Sequence, residues 1–254
     1  MSATIERPRA APFATRMLAQ ARFEAGVHLR NGEQLIVSVV LPLMALVGLT
    51  LAPFPDLGSG PRIDVIAPGV LGLVVISTAF TGQAIQTGFD RRYGVLRYLG
   101  VTPLGRGGLL AGKSLAVLGV IAVQVLAIGA VALAMGWRPH LAMIPVAMVS
   151  LALGAWCFVA LALALAGSVR AEAVLALANL VWVLLLAVGG IVVPSHVLSG
   201  PWQVVIDALP SAALGEAMRQ PLGAGTWPFA AWGILIAWGA VSTLLAARTF
   251  RWRD

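Results

Sequence analysis

Six apolar runs, each close to the length that crosses a bilayer, take up most of this 254-residue sequence. A helix needs about 20 apolar residues to cross a hydrocarbon layer about 30 Å thick. Inside lipid its backbone groups must also be satisfied within the protein. The runs are Leu35–Leu51, Pro68–Phe89, Leu109–Met135, Met143–Ala166, Ala173–Val193 and Pro228–Ala247. They predict an all-α membrane protein of six transmembrane helices, built as one domain over residues 1–254. Pro42 predicts a kink in the first span, and the third is long enough to tilt or to project beyond the lipid. Only 11% of the residues are charged, against about 25% in a typical soluble domain. A water-coated globule is therefore excluded, and no length remains for a further soluble enzymatic domain.

The basic residues orient the spans. Arg7, Arg9, Arg16, Arg22 and Arg30 precede the first span, and Arg91, Arg92, Arg97, Arg106 and Lys113 lie between the second and third. With Arg170, Arg248, Arg251 and Arg253 they place fourteen of the 17 Lys and Arg on one side, against Arg62, Arg138 and Arg219 on the other. Basic loops stay cytoplasmic, so both termini and the long second loop are expected in the cytoplasm of an inner (plasma) membrane protein. The net charge of +7 does not point to nucleic acid, because the cations are dispersed between apolar runs. The arginine-rich start lacks the apolar core of a cleaved signal peptide.

Two segments outside the spans carry helical patterns. In residues 12–31, Phe13, Met17, Ala21 and Ala25 recur every fourth position beside arginines, which predicts an interfacial helix after a flexible tail over 1–11. Between spans five and six, Leu198, Trp202, Val205, Ile206 and Leu209 precede Pro210, and Ala212–Met218 follows it. Two short external helices are expected there, either dipping into the outer leaflet or capping the surface.

Gly107–Ser114 reads GGLLAGKS and matches the phosphate-binding pattern G-x-x-x-x-G-K-[ST]. That pattern works between a strand and a helix of a soluble α/β domain. Here a turn precedes it and a membrane helix follows, so the match is judged false. The segment reads instead as a glycine-rich turn, with Lys113 snorkelling to the headgroups. No catalytic residue, cofactor or metal site is expected on this chain. His28, His140 and His196 fall in separate regions, Cys157 is the sole cysteine, and no acidic residue lies near the middle of a span.

The second span is polar toward its cytoplasmic half, with Ser77, Thr78, Thr81, Gln83, Gln86 and Thr87 before Asp90. Such groups avoid lipid and take either an interhelical hydrogen bond or a wet path. Gln124 in span three, and Asn179 with Trp182 in span five, pose the same choice. Beyond Asp90 the loop reads FDRRYGVLRYLGVTPLGRGGLLAGK, a short amphipathic helix that either rests on headgroups or docks in a groove of a soluble partner.

At this loop the sequence resembles the ABC-2-type permeases of ABC exporters. The resemblance rests on Asp90, Gly94, Leu96, Leu99, Thr102-Pro103-Leu104-Gly105-Arg106 and Gly112-Lys113. It extends to the interfacial helix, the six spans, and Pro194, Pro201-Trp202, Leu209-Pro210 and Arg219. The sequence departs from the family at Arg91-Arg92, where many members carry an acidic residue. The resemblance implies a permease that pairs with a second copy or a paralogue. It also implies two ABC ATPase subunits, which hold the ATP and Mg, contacted through a cytoplasmic coupling helix between spans two and three. Asp90, Arg91, Arg92, Tyr93, Gly94, Leu96, Leu99, Thr102, Pro103 and Arg106 are its implied residues. The implied substrate path between two permeases includes Thr78, Thr81, Gln83, Asn179 and Trp182. Export of a hydrophobic or amphipathic compound, such as a drug, antibiotic or lipid, is the expected function. The alternatives are an intramembrane lipid-modifying enzyme, which needs clustered carboxylates or histidines, and a non-transporting scaffold, which needs no docking helix.

Overall fold

The computed structural model describes residues 11–30, 36–58, 60–95, 98, 103–198 and 200–249, with the backbone alone at 28, 29, 36, 37, 105–107, 109, 110 and 198. The tail expected over 1–11, apart from Ala11, and the start of the first span lie outside the described residues. The described residues hold no strand. Among the described residues, five helices are long and apolar enough to cross a membrane, namely Arg62–Arg92, Ala111–Ala134, Leu141–Ser168, Ala171–Val188 and Phe229–Thr249. A sixth, Ser38–Leu51, is apolar and shorter. The chain is a multi-pass membrane protein with an all-α fold.

Helix α1 (Phe13–Arg30) turns Ala21 and Glu24 inward and leaves Phe13, Leu18, Phe23 and Val27 exposed. The first span begins as a π-helix, Ile36–Val40, and becomes α2 at Leu41–Leu51. Pro42 follows the π segment directly, and without an N–H it cannot close a helical hydrogen bond to the turn before it. The irregularity expected at Pro42 therefore takes the form of the π segment just before it.

The second span is the axis of the molecule. Helix α3 (Arg62–Val75), a π segment (Ile76–Gly82) and α4 (Gln83–Arg92) run as one 31-residue helix, 89% buried over its most apolar stretch. It begins at Arg62 rather than at Pro68. Hydropathy stops short of a charged residue, whereas the Arg62 guanidinium donates to Leu49 O at 3.1 and 3.2 Å and to Pro55 O at 2.6 Å. The charge thus closes the end of α2 and lets the helix start a full turn and more ahead of its apolar run.

Helix α5 (Gly105–Ala134) packs along α1 and α3, and α6 (Ile144–Ser168) lies between α4 and α10 (Phe229–Thr249). Helix α7 (Ala171–Val188) rests on α4 and is only 17% buried. It ends at Val188, not at the expected Val193. Gly190 takes φ +70°, a conformation that glycine adopts without strain. Ile191 and Val192 beyond it are buried but not helical. Periodicity alone reads such residues as more span.

The segment after Pro194 holds two short helices, α8 (Gln203–Asp207) and α9 (Pro210–Arg219). The first buries no residue. The second is buried along most of its length and lies among α3, α6 and α10.

Candidate functional site

Where the second span ends and the third begins, three charged side chains meet. Lys113 Nζ donates to Asp90 Oδ2 at 2.7 Å and lies 3.0 Å from Glu24 Oε1. These residues come from α5, α4 and α1. Glu24 also accepts Gln20 Nε2 at 2.8 Å and Gln86 Nε2 at 2.6 Å. Its carboxylate therefore meets one ammonium and two amide donors. Lys113 is 3% exposed. The expectation that it snorkels to the headgroups is thus corrected. Two carboxylates inside the fold satisfy the ammonium that would otherwise have to reach water.

The glycines before Lys113 are also not a turn. GGLLAGKS lies within α5, which is helical from Gly105, so no loop is there to wrap a phosphate. A Cβ on Gly108 would lie 3.1 Å from the Phe13 ring, and one on Gly112 would lie 2.9 Å from the Gln20 side chain. Small residues four apart let two helices approach closely, and here they draw α1 against α5. That approach brings Glu24 within reach of Lys113.

The adjacent Arg91 points inward and donates to Ala166 O at 2.7 Å and Val169 O at 2.6 Å, closing the end of α6. Arg92 pairs with Glu172 at the start of α7 and lies 5.9 Å from the Tyr93 ring centroid. Tyr93 itself stacks on Phe89. The double arginine that departs from the family pattern therefore serves two packing contacts to spans four to five. Among the described residues of the loop, both tyrosines face outward. Tyr93 is 68% and Tyr98 74% exposed, and they are the only two tyrosines in the sequence. Gly94 turns the chain at φ +70°, and Pro103 is exposed. Leu96, Leu99 and Thr102 lie outside the described residues, as does the side chain of Arg106.

The polar residues of the second span are divided among different partners. Thr78 Oγ1 hydrogen-bonds Gln124 Oε1 at 2.8 Å, and Gln124 Nε2 donates to Ser38 Oγ at 2.9 Å, a chain across three spans. Trp182 Nε1 donates to Ser77 Oγ at 2.8 Å, and Gln83 Nε2 to Thr87 Oγ1 at 3.0 Å. The Thr81 hydroxyl is buried without a partner. It sits in the π segment, a helix distortion that is frequent at functional sites. Asn179 is not brought to this group and lies exposed on α7.

At the opposite end of the second span the Arg219 guanidinium enters the break after α7. Nη1 donates to Ile191 O at 2.8 Å and Nη2 to Gly190 O at 2.9 Å. Nη2 also lies 3.0 Å from Glu216 Oε1. Near this end Phe54, Asp56, Val193 and His196 line an open cavity of about 630 Å³.

The chain is similar over residues 17–222 to the family model described as ABC-2 type transporter. No curated protein matches it.

Proposed function

Because the chain belongs to the ABC-2 type transporter family, we propose that it is the permease subunit of an ATP-driven exporter that moves a hydrophobic or amphipathic compound out of the cytoplasm or inner leaflet. Two ATPase subunits, carrying ATP and Mg, dock on the loop after Asp90. The observation that carries this reading is that loop, with Tyr93 and Tyr98 exposed between stems held by the Asp90–Lys113 ion pair. Exposed tyrosines are strong anchors in protein interfaces because they bury much area with few rotatable bonds. The arginine-rich flank puts the loop and both termini on the cytoplasmic side of the inner membrane.

A second permease copy or paralogue covers α7. In support, that helix is 17% buried and exposes Asn179, an amide that is costly against lipid. The substrate path runs along this face and the second span, where Trp182, the partnerless hydroxyl of Thr81, Thr78 and Gln83 supply polar groups in an apolar lining.

The test is co-purification of the chain with the ABC ATPase encoded beside it, and ATP hydrolysis by the complex in lipid. The expected result is a stable complex that Tyr93→Ala with Tyr98→Ala weakens about tenfold or more, the loss of a strong interface anchor. A chain that binds no ATPase, or a double variant that binds it as well as the parent, overturns the reading.

A further inference from the structure

The ion triad beneath the loop has more to it than closing two helix ends. Asp90 lies in the last turn of α4, just before the chain turns out at Gly94, and Lys113 lies where the chain has come back into α5. Their 2.7 Å contact ties the two stems of the exposed loop to each other. Glu24 then adds a third element that is remote in sequence, and Gln86 of α4 donates to the same carboxylate at 2.6 Å. The closeness of α1 to α5 is built in at Gly108 and Gly112.

Stability alone does not account for this arrangement. A buried ion pair is weak support for a fold, since apolar residues of similar size do as well or better. What a charged triad adds over apolar packing is directional linkage, because each member must keep its partners wherever the group moves. The outer face of α1 bears Phe13, Leu18, Phe23 and Val27 exposed, an amphipathic surface of the kind that rides in a membrane interface.

We infer that Lys113 is a positioning residue that couples α1 to the docking loop, so that displacement of the loop by an ATPase moves α1 along the membrane surface together with the second and third spans. This rests on the transporter reading. Glu24 and Asp90 hold the two sides of the coupling, and loss of the ammonium leaves the buried carboxylate of Glu24 facing the half-buried one of Asp90.

The test attaches a nitroxide at Phe23→Cys, on the exposed face of α1, in the permease–ATPase complex in liposomes, with Cys157 left buried. Mobility of the nitroxide is read without nucleotide and with ATP and orthovanadate. The parent is expected to show a nucleotide-dependent change. Lys113→Met is expected to cut its amplitude, taken per bound ATPase, about tenfold, a common size for coupling between sites. Lys113→Arg, which keeps the cation, is expected to restore at least about half of it. Should Lys113→Met fail to assemble, Glu24→Gln keeps the Lys113–Asp90 pair and is expected to lose the α1 response, while a nitroxide at Val95→Cys still responds.

The inference is overturned if the parent shows no change while hydrolysing ATP, if Lys113→Met or Glu24→Gln keeps the full amplitude, or if Lys113→Arg is as impaired as Lys113→Met. If no ATPase binds the parent, it is the transporter reading that fails. Hydrogen exchange of the chain alone in lipid then decides the linkage. Lys113→Met must speed exchange of the α1 amides about tenfold, and unchanged exchange overturns it.

Discussion

Near the start of the Arg62–Arg92 helix a guanidinium is held by main-chain carbonyls together with the part-exposed carboxylate of Glu216, and at its end an ammonium is held by two side-chain carboxylates alone. Arg219 donates to Gly190 and Ile191, oxygens whose positions are set by the chain break after α7. Lys113 meets Asp90 and Glu24, which sit on rotatable side chains of separate helices. The first arrangement fixes a shape. The second fixes partners while letting the helices that bear them shift as a group. In a transporter the end that must respond to ATP is expected to be built in the second way.

The difference is broken most directly at Arg219. Arg219→Met leaves buried carbonyls without donors, at a cost of about 1–3 kcal/mol for each unsatisfied group. Thermal unfolding in detergent should fall accordingly. Arg219→Lys should recover little, because one ammonium cannot reproduce the planar fork that spans neighbouring carbonyls. Full recovery by Lys would show that the outer end needs only a charge, and the contrast with Lys113 would be lost.

A matched pair of alanines sharpens the same contrast. A Cβ on Gly69 would lie 2.5 Å from Ile191 O and 2.9 Å from Val192 Cα, both main-chain atoms, whereas a Cβ on Gly112 meets the Gln20 side chain at 2.9 Å. Overpacking a tight site costs about 1–3 kcal/mol, most where the neighbour cannot move. Gly69→Ala is therefore expected near the upper figure and Gly112→Ala near the lower, measured by thermal unfolding in one detergent. Equal costs would mean that the α1–α5 seam is as rigid as the break after α7.

Much of this architecture was legible in the chain because lipid forces a long apolar run to become a helix. The runs, the helix before them and the pair of short helices around Pro210 all follow from that rule and from helical spacing. Hydropathy leaves Arg62 out of the second span because it cannot tell a charge satisfied by distant carbonyls from one that faces water, and it adds Ile191 and Val192 to the fifth because a buried break is as apolar as more helix. GGLLAGKS read as a turn because glycine spacing serves both loops and close helix packing, and only the presence of α1 decides between them. Lys113 lacked any local sign of its partners, since Glu24 is far away in sequence and on a different helix. The placement of Tyr93 beside Arg92 and Phe89 could be anticipated from adjacency. The inward turn of Arg91 onto Ala166 and Val169 could not.

The smallest effect is expected at Arg92, one turn or less from the buried triad. Its pair with Glu172 is exposed on both sides, with side chains 46% and 63% accessible. Water screens such a pair, and two long side chains must be ordered to form it, so exposed pairs contribute about 0–1 kcal/mol. Arg92→Ala should therefore change the unfolding temperature of the permease by little. The same change removes the cation beside the Tyr93 ring and leaves that ring less constrained at the surface proposed to dock an ATPase. If docking runs through Tyr93 and Tyr98, Arg92→Ala weakens ATPase co-purification severalfold while stability stays put, since rim charges act on association more than on the fold. Loss of stability as large as that of Arg219→Met would show that the boundary between buried and exposed charge is not what separates structural from responsive contacts here. Unchanged stability together with unchanged docking would confine the contact surface to the tyrosines themselves.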